Sequence, residues 1–209
     1  MTLLRIAPAA ALLAAAACGA GEDADDDRPA GGPGPNGSGA TVYQGALTVI
    51  ETPDHGPQLA GALAESYPPQ GGGLDVEGWD WDEVEHESSQ GTSWGDYLVT
   101  GTFDGEAFVL TEDPVHADEV DMADYPHLQY TEPDIDPPAE ELGAEELDGV
   151  YGDLSERFPA LVLGGWVDQD QPVAVVEVVL VTPELAEHVQ RSYPEGAVVL
   201  VPMLEPVSE

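Results

Sequence analysis

The stretch that decides the fold is Tyr97 to Thr111, which reads YLVTGTF, then DG, then EAFVLT. Two β-type runs rich in Val, Thr and aromatic residues flank the dipeptide Asp104-Gly105. Asp-Gly supplies the positive φ angles of a type I′ turn, and two such runs joined by it are typical of a β-hairpin. The sequence therefore predicts strands at 97–103 and 106–111 that are joined by a two-residue turn.

Further short β-type runs precede this hairpin, at Thr41 to Glu51 and at Leu74 to Glu85. Between them, Leu59 to Ser66 could form one or two helical turns, and Tyr67 to Gly73 is rich in Pro and Gly and predicts a loop. Residues 41–115 are therefore expected to form a small antiparallel β domain, with a meander or barrel-like arrangement.

An acidic segment with few apolar residues follows and contains Pro114, Pro126 and Pro133. Proline suits neither a helix interior nor a central strand, so residues 116–138 are predicted to be an inter-domain linker. A helix is expected to begin near Pro137-Pro138, because proline fits the first helical turn. The apolar residues after it have roughly helical spacing: Leu142, Leu147, Val150, Leu154 and Phe158.

The rest of the chain alternates between strand and helix signals. Strands are predicted at Ala160 to Val167 and Val173 to Val181, with a turn at Asp168 to Gln171 between them. A second helix should begin at Pro183, with Thr182 as its N-cap, and should end near Gly196. A last strand at Ala197 to Val201 would complete a helix-strand-strand-helix-strand sandwich over residues 139–209. The predicted fold class is therefore α+β.

The N-terminus indicates export. Arg5 is followed by an apolar run of about a dozen residues, which is too short to span a membrane and is typical of a signal peptide over residues 1–17. Ala15-Ala16-Ala17-Cys18 resembles the bacterial lipobox, whose cysteine receives diacylglycerol and further acylation such as palmitate. Cys18 would then anchor the chain in the lipid bilayer at the extracytoplasmic face of the cell membrane, with residues 18–40 as a flexible tether. The alternative is an ordinary secretory signal with a chance cysteine.

Composition limits the chemistry. The chain has 42 Asp and Glu against 4 basic residues, a formal net charge of −38, and no lysine. Loss of residues 1–17 removes Arg5 and brings the charge near −39. A chain this acidic repels DNA and anionic lipid, so nucleic acid is not an expected partner. Cys18 is the single cysteine, which excludes an internal disulfide and a cysteine metal site. We expect adaptation to high salt, which screens such repulsion.

Two groups of side chains are candidate sites. Oxygen-rich clusters can bind Ca²⁺, and one segment concentrates carboxylates; the candidate ligands are Asp75, Glu77, Asp80, Asp82 and Glu85. The alternative for them is a solvated acidic face. Aromatic side chains often line ligand grooves; the candidates are Trp79, Trp81, Trp94 and Tyr97. Packing in the core of a small β domain is the alternative for these four. Apart from Ca²⁺ at the first group, no cofactor is expected.

A third motif, Gly91-Thr92-Ser93-Trp94-Gly95, matches the G-x-S-x-G nucleophile elbow of α/β-hydrolases. An elbow needs a strand before the serine and a helix after it. Here a polar segment precedes Ser93 and a predicted strand follows it, so a turn that enters the hairpin is the favoured interpretation and no catalytic residue is assigned. A helix directly after Ser93 would support a hydrolase, whereas a strand there would exclude Ser93 as the nucleophile of such an elbow.

Four stretches already mentioned carry a resemblance: Glu65 to Gln70, Gly78 to Trp81, Thr92 to Tyr97 and Gly101 to Gly105. Together with the lipobox they look like a group of uncharacterised lipoproteins of high-GC Gram-positive (actinobacterial) bacteria. The resemblance covers most of the chain after Cys18 and implies no activity or catalytic residue. We therefore expect a non-enzymatic module that binds an envelope protein, a glycan or a small molecule. The alternatives are a Ca²⁺-binding protein and an envelope hydrolase.

Overall fold

A computed structural model of the chain describes residues 40–61, 63–131, 133, 135–168 and 170–207. The predictions for the signal peptide, for Cys18 and for the tether lie outside the described residues, apart from Ala40. None of the helices in the described part of the chain is long and apolar enough to cross a membrane.

Within the described residues, the first half of the chain forms seven strands. In chain order they are β1 (Val42–Thr52), β2 (His55–Ala60), β3 (Gly73–Glu77), β4 (Glu87–Ser89), β5 (Thr92–Phe103), β6 (Phe108–Leu110) and β7 (Val115–His116). The expected helical turns after Leu59 were wrong, because Leu59 and Ala60 complete β2, which pairs with β1 on one side and β3 on the other.

Five of these strands close into a barrel. β1, β2 and β3 follow one another as antiparallel neighbours, β3 pairs with β6 in parallel, and β6 and β1 both pair antiparallel with β5. The longest pairing joins β1 to β5 from Val42↔Thr102 to Glu51↔Ser93. Closure gives every strand of this ring a neighbouring strand on each side, which is a common solution for small antiparallel folds. The barrel-like β unit expected from the sequence is therefore present.

The predicted strand from Leu74 to Glu85 was too long. β3 ends at Glu77, Gly78 follows with a φ angle of +85°, and a 3₁₀ turn spans Trp81–Glu83. The Asp80 carboxylate accepts a hydrogen bond from the Asp82 N–H at 2.9 Å. Such a local bond stabilises a turn in place of a strand ladder.

The central hairpin is confirmed, but its predicted two-residue turn was wrong. Phe103 pairs with Phe108, so the loop contains the four residues from Asp104 to Ala107. The Asp104 carboxylate accepts hydrogen bonds from the N–H groups of Glu106 and Ala107, both at 2.8 Å. These bonds close a longer turn, and they keep the pKa of Asp104 below its usual range. The register shift of two residues leaves the same side chains on the same faces.

Residues 117–128 wind through three 3₁₀ turns at Ala117–Glu119, Met122–Asp124 and Pro126–Leu128. This segment lies against the barrel, because Val115–His116 pairs with β5 and His127 Nε2 lies 3.1 Å from the Gln44 amide oxygen. Its assignment as an inter-domain linker stays a prediction.

The second half contains α1 (Ala144–Arg157), β8 (Val162–Val167), β9 (Ala174–Val178), α2 (Pro183–Ser192) and β10 (Val198–Pro202). β9 lies between β8, which is antiparallel to it, and β10, which is parallel. The predicted element order is confirmed, and so is the Thr182 cap, whose hydroxyl accepts from the Leu185 N–H at 3.2 Å. In the turn before β9, the Asp168 carboxylate accepts from the N–H groups of Asp170 and Gln171.

The start of α1, the end of α2 and the length of β9 differ from prediction. α1 begins at Ala144 instead of near Pro137, because the Ala139 N–H donates to the Glu195 carbonyl and the Glu146 carboxylate caps the Gly143 N–H at 2.9 Å. α2 ends at Ser192, two residues before Pro194, which cannot continue a helix. Gly196 does have a positive φ angle, +81°, but in the turn that leads into β10. β9 is shorter than predicted at both ends.

The two halves contribute to one hydrophobic cluster. It includes Val49 and Phe108 from the barrel, Val150 and Leu154 from α1, and Val176 from β9, all fully buried. After β10 the chain returns to the barrel, where β11 (Glu205–Pro206) pairs with Tyr43 and Gln44 of β1. The described residues from Ala40 onwards thus form one compact unit.

Candidate functional site: a cleft at an interrupted strand edge

Strand β5 has one continuously paired edge, from Ser93 to Thr102, and one interrupted edge. β1 covers the first edge, whereas three short strands share the second: β4 opposite Thr92–Trp94, β7 opposite Tyr97–Leu98, and β6 opposite Gly101–Phe103. Gly95 and Asp96 lie between β4 and β7 without a strand partner on this edge. Neighbouring residues of a strand direct their N–H and C=O groups to opposite edges, so one of these two residues presents both groups to the gap.

A cleft of about 690 Å³ opens at this gap. We call it the β5 cleft. The segment from Val84 to Glu87 forms one wall, the segment from His116 to Asp118 forms the other, and Trp94 to Asp96 form the floor. The lining combines two histidines, an indole ring and several carboxylates, and it includes no arginine.

His86 lies in the first wall. Its Nδ1 is 3.1 Å from the Val84 carbonyl oxygen, and its ring packs against Trp81 with 5.1 Å between ring centroids. A carbonyl can only accept a hydrogen bond, so Nδ1 carries the proton in the neutral ring. The Nε2 atom of neutral His86 is therefore a hydrogen-bond acceptor.

His116, in the opposite wall, has the other tautomer. Its Nδ1 accepts a hydrogen bond from the Asp118 N–H at 3.3 Å, so the neutral ring carries its proton on Nε2. The ring meets Tyr97 edge to face, with centroids 5.5 Å apart. The two walls of the cleft thus hold one imidazole that accepts at Nε2 and one that donates there.

The four aromatic residues predicted to line a groove fall into two places. Trp79, Trp81 and Tyr97 pack together, with centroids 4.8 Å apart for Trp79 and Tyr97 and 5.2 Å apart for the two indoles. Trp94 lies three residues before Tyr97 on β5, so its side chain is on the other face of the strand, where it contacts Tyr67 and lines the cleft.

The packed aromatic group supports the cleft from behind. Tyr97 is fully buried, and its hydroxyl donates to the Glu85 carbonyl in the first wall. Burial, together with the nearby negative charge of Asp96, raises the pKa of Tyr97 to about 12. Trp81 donates its indole N–H to a Glu51 carboxylate oxygen at 2.7 Å. These bonds hold the segment from Trp81 to Glu85 against the barrel.

The structure does not gather the carboxylates of the predicted Ca²⁺ site into one group. Asp75 and Glu77 are exposed on β3, Asp80 and Asp82 lie at the 3₁₀ turn, and Glu85 belongs to the cleft wall. Among the described residues, no three His, Cys, Asp or Glu side chains are placed to hold one metal ion. Calcium binding stays an alternative to a solvated acidic face for this segment.

Ser93 is not in a nucleophile elbow. It is the second residue of strand β5 and pairs with Glu51 on one side and Ser88 on the other. The strand continues to Phe103, whereas an elbow requires a helix directly after the serine. The motif therefore gives no support to hydrolase chemistry.

A polar network that sequence reasoning missed joins α1 to the end of α2. Asp153 Oδ2 lies 3.1 Å from His188 Nε2 and accepts a hydrogen bond from the Tyr193 hydroxyl at 2.6 Å. The Tyr193 hydroxyl and the His188 ring lower the pKa of Asp153, whereas burial and Asp153 raise the pKa of Tyr193. Asp153 is 35 positions from His188 and 40 positions from Tyr193 in sequence, and no local spacing pattern indicates such a contact.

Comparison with known proteins adds no relative to these observations: no family model, curated protein or solved structure matches this chain.

Proposed function

We propose that this protein is a lipoprotein held by acylated Cys18 at the extracytoplasmic face of the cell membrane, where it acts as a non-enzymatic binding module in a saline environment. The short apolar run before Cys18 and the polar segment after it support export and anchoring. The chain has 42 acidic and 4 basic residues, and this excess of negative charge supports adaptation to salt.

We assign the binding function to the β5 cleft. One observation carries this assignment: β5 lacks a strand partner at Gly95 and Asp96, at the floor of a cleft lined by His86, His116 and Trp94. A concave site with an aromatic surface and a few convergent polar groups is typical of ligand binding. Its volume favours a small molecule, or one end of a glycan or peptide, over a broad protein surface.

The second half of the chain is, in this proposal, an α+β sandwich that supports the barrel. Helix α1 packs on β8 and β9, which favours two layers. On this view the barrel carries the ligand site and the sandwich supplies core volume that a domain of about 70 residues lacks on its own.

Anchoring is tested by metabolic labelling of the full chain with a palmitate analogue in a bacterium that acylates lipoproteins. Wild-type protein should carry the label and sediment with membranes, whereas the Cys18→Ser variant should lose both properties. A Cys18→Ser variant that keeps the label and the membrane fraction would contradict the proposal.

The cleft assignment is tested by ¹⁹F NMR on the full chain carrying Cys18→Ser and fluorotryptophan. Titration uses a fragment set of small ammonium compounds, carboxylates and neutral sugars. We expect at least one class to shift the Trp94 resonance while leaving that of Trp166, on β8, unchanged. In isothermal titration, the binding should disappear in Trp94→Ala and persist in the matched Trp166→Ala variant. If no class shifts Trp94, or if Trp94→Ala binds equally well, the cleft is not the ligand site.

A further inference from the structure

A second cavity, of about 340 Å³, lies where the barrel meets the second sheet. We call it the junction pocket. Its lining is mostly apolar and comes from both halves, with Leu47 from β1, Leu163 from β8 and Met203 from the segment after β10. Two carboxylate residues, Asp96 and Glu177, interrupt this apolar lining.

The junction pocket adjoins the β5 cleft, because Asp96 and Ala117 line both cavities. Asp96 lies in the floor of the cleft, at the unpaired edge of β5. One of its carboxylate oxygens, Oδ1, accepts a hydrogen bond from the Thr48 hydroxyl at 2.5 Å. Within the described part of the chain, its other oxygen accepts no hydrogen bond, so Asp96 can bind a further donor at the boundary between the cavities.

Glu177 is an unusual residue for its position. It lies in β9, the central strand of the second sheet, between the buried residues Val176 and Val178. The residue opposite it on β8 is Gly164, where a Cβ atom would lie 2.9 Å from the Glu177 carboxylate. The glycine thus leaves room for the half-buried Glu177 carboxylate on its face of the sheet.

Neither arginine in the described part of the chain pairs with these two carboxylates. Arg157 lies over the Phe158 ring, and Arg191 lies 4.0 Å from Glu187 on α2. Asp96 is exposed, whereas Glu177 is half-buried. A half-buried carboxylate without a partner is unfavourable, and a ligand that brings a positive charge to Glu177 removes this cost. The charge pattern therefore favours a cation in these cavities and disfavours an anion.

We propose that the β5 cleft and the junction pocket together bind one amphiphilic organic cation. Its ammonium or guanidinium group would lie at Asp96, in the cleft that Trp94 and His86 also line. Its apolar part would enter the junction pocket among Leu47, Leu163 and Met203. The inference rests on the proposed function, since it names the ligand class of the same cleft.

Each part of such a ligand matches one observed surface. Organic cations are attracted to indole rings and to carboxylates. A small inorganic cation would satisfy the charge but would leave the apolar lining of the junction pocket unfilled. A neutral amphiphile would fill that pocket but would leave Asp96 and Glu177 without a positive partner.

The test is isothermal titration of the full chain carrying Cys18→Ser with four probes: octylammonium, octanol, octanoate and methylammonium. We expect octylammonium to bind about tenfold more tightly than each of the others, which corresponds to about 1.4 kcal/mol. Asp96→Asn keeps an acceptor for Thr48 and should weaken octylammonium binding about tenfold while leaving octanol binding unchanged. The matched Asp54→Asn variant removes an exposed carboxylate in the turn between β1 and β2 and should have no effect.

Two further variants separate the contribution of the carboxylates, which bind the cationic group, from that of the apolar lining of the junction pocket. Glu177→Gln should also weaken octylammonium binding, and it should not impair folding because it removes an uncompensated charge. Leu163→Ala should weaken octylammonium binding without changing methylammonium binding. The proposal is overturned if octanol binds as tightly as octylammonium, if Asp96→Asn and Glu177→Gln bind octylammonium like wild type, or if sodium alone displaces all binding. If anionic or neutral fragments still shift Trp94 in the ¹⁹F experiment, the cleft assignment stands and only the ligand class is wrong.

Discussion

Leu204 joins the two halves of the protein, so we predict that Leu204→Ala destabilises both together. Its side chain is 1% exposed, and its N–H donates to the Val179 carbonyl just after β9. On the barrel side it lies so close to Gly45 of β1 that a Cβ there would be 2.8 Å from the Leu204 side chain. Truncation of a buried leucine to alanine costs roughly 2–5 kcal/mol, out of a total stability of about 5–15 kcal/mol.

At about 2–4 °C per kcal/mol for a domain of this size, the melting temperature should fall by roughly 4–20 °C. The measurement is urea and thermal unfolding of the full chain in high NaCl. Circular dichroism reports the helices of the second half, and the fluorescence of a Trp166→Phe background reports the barrel tryptophans. We expect both signals to shift together. The matched control is Val207→Ala at a 41% exposed position, which should change stability by less than about 0.5 kcal/mol.

Two outcomes would refute this reasoning. An unchanged melting temperature for Leu204→Ala would mean that the cavity left by the leucine collapses without cost. Separate unfolding transitions, of which only one shifts, would mean that the two halves have independent cores.

Three further predictions concern charge and titration. The melting temperature should rise with NaCl, and millimolar CaCl₂ should add nothing at matched ionic strength; an extra rise that Asp80→Asn abolishes would establish a calcium site. Because the pKa of Tyr97 is raised to about 12, its stabilising effect should be complete below pH 10 and lost as pH rises through 12, and absorbance titration of Tyr97→Phe should lack that step. Tyr193→Phe should cost about 0.5–1.5 kcal/mol. Because the pKa of Asp153 is lowered, its contribution is present above its ordinary pKa of 3.8 and lost below it, so in urea unfolding the cost of Tyr193→Phe should shrink in acid.

The features that sequence predicted correctly depend on neighbouring residues. Thr182 followed by Pro183 indicates a helix start because a hydroxyl cap and a proline act within one turn. The alternating apolar residues of β1 and β5 indicate strands because side chains in a strand alternate between two faces. Leu147, Val150 and Leu154 lie buried on α1, as their helical spacing predicted.

The errors occur where a side chain bonds to its own backbone or where a distant segment intervenes. Asp80 and Asp104 each accept nearby N–H groups, so the chain turns at 78–83 and at 104–107 in place of the predicted strand and the two-residue turn. The helix predicted to begin near Pro137 does not begin there, because the Ala139 N–H donates a hydrogen bond to the carbonyl of Glu195, 56 residues later. Such a competing bond has no local signature.

The candidate site was predictable only in part. Sequence identified Trp94 as a candidate ligand-contacting aromatic residue, and that side chain does line the β5 cleft. It also grouped Trp94 with Trp79, Trp81 and Tyr97, which pack on the other side of β5. Sequence reasoning did not place His86 and His116 in one cleft, because they are 30 positions apart. Only the folding of both segments against β5 brings them to the same cleft.

The sequence by itself determined the acidic character of the chain, its single cysteine, the α+β class and the order of the elements in the second half. Composition is a property of the residues, and helix caps and periodicity act over a few positions. Only the tertiary structure decided the parallel β3–β6 pairing that closes the barrel, the return of β11 to β1, and the gap at Gly95 and Asp96. These features depend on which of several short strands takes each position along an edge, and packing across the whole core settles that choice.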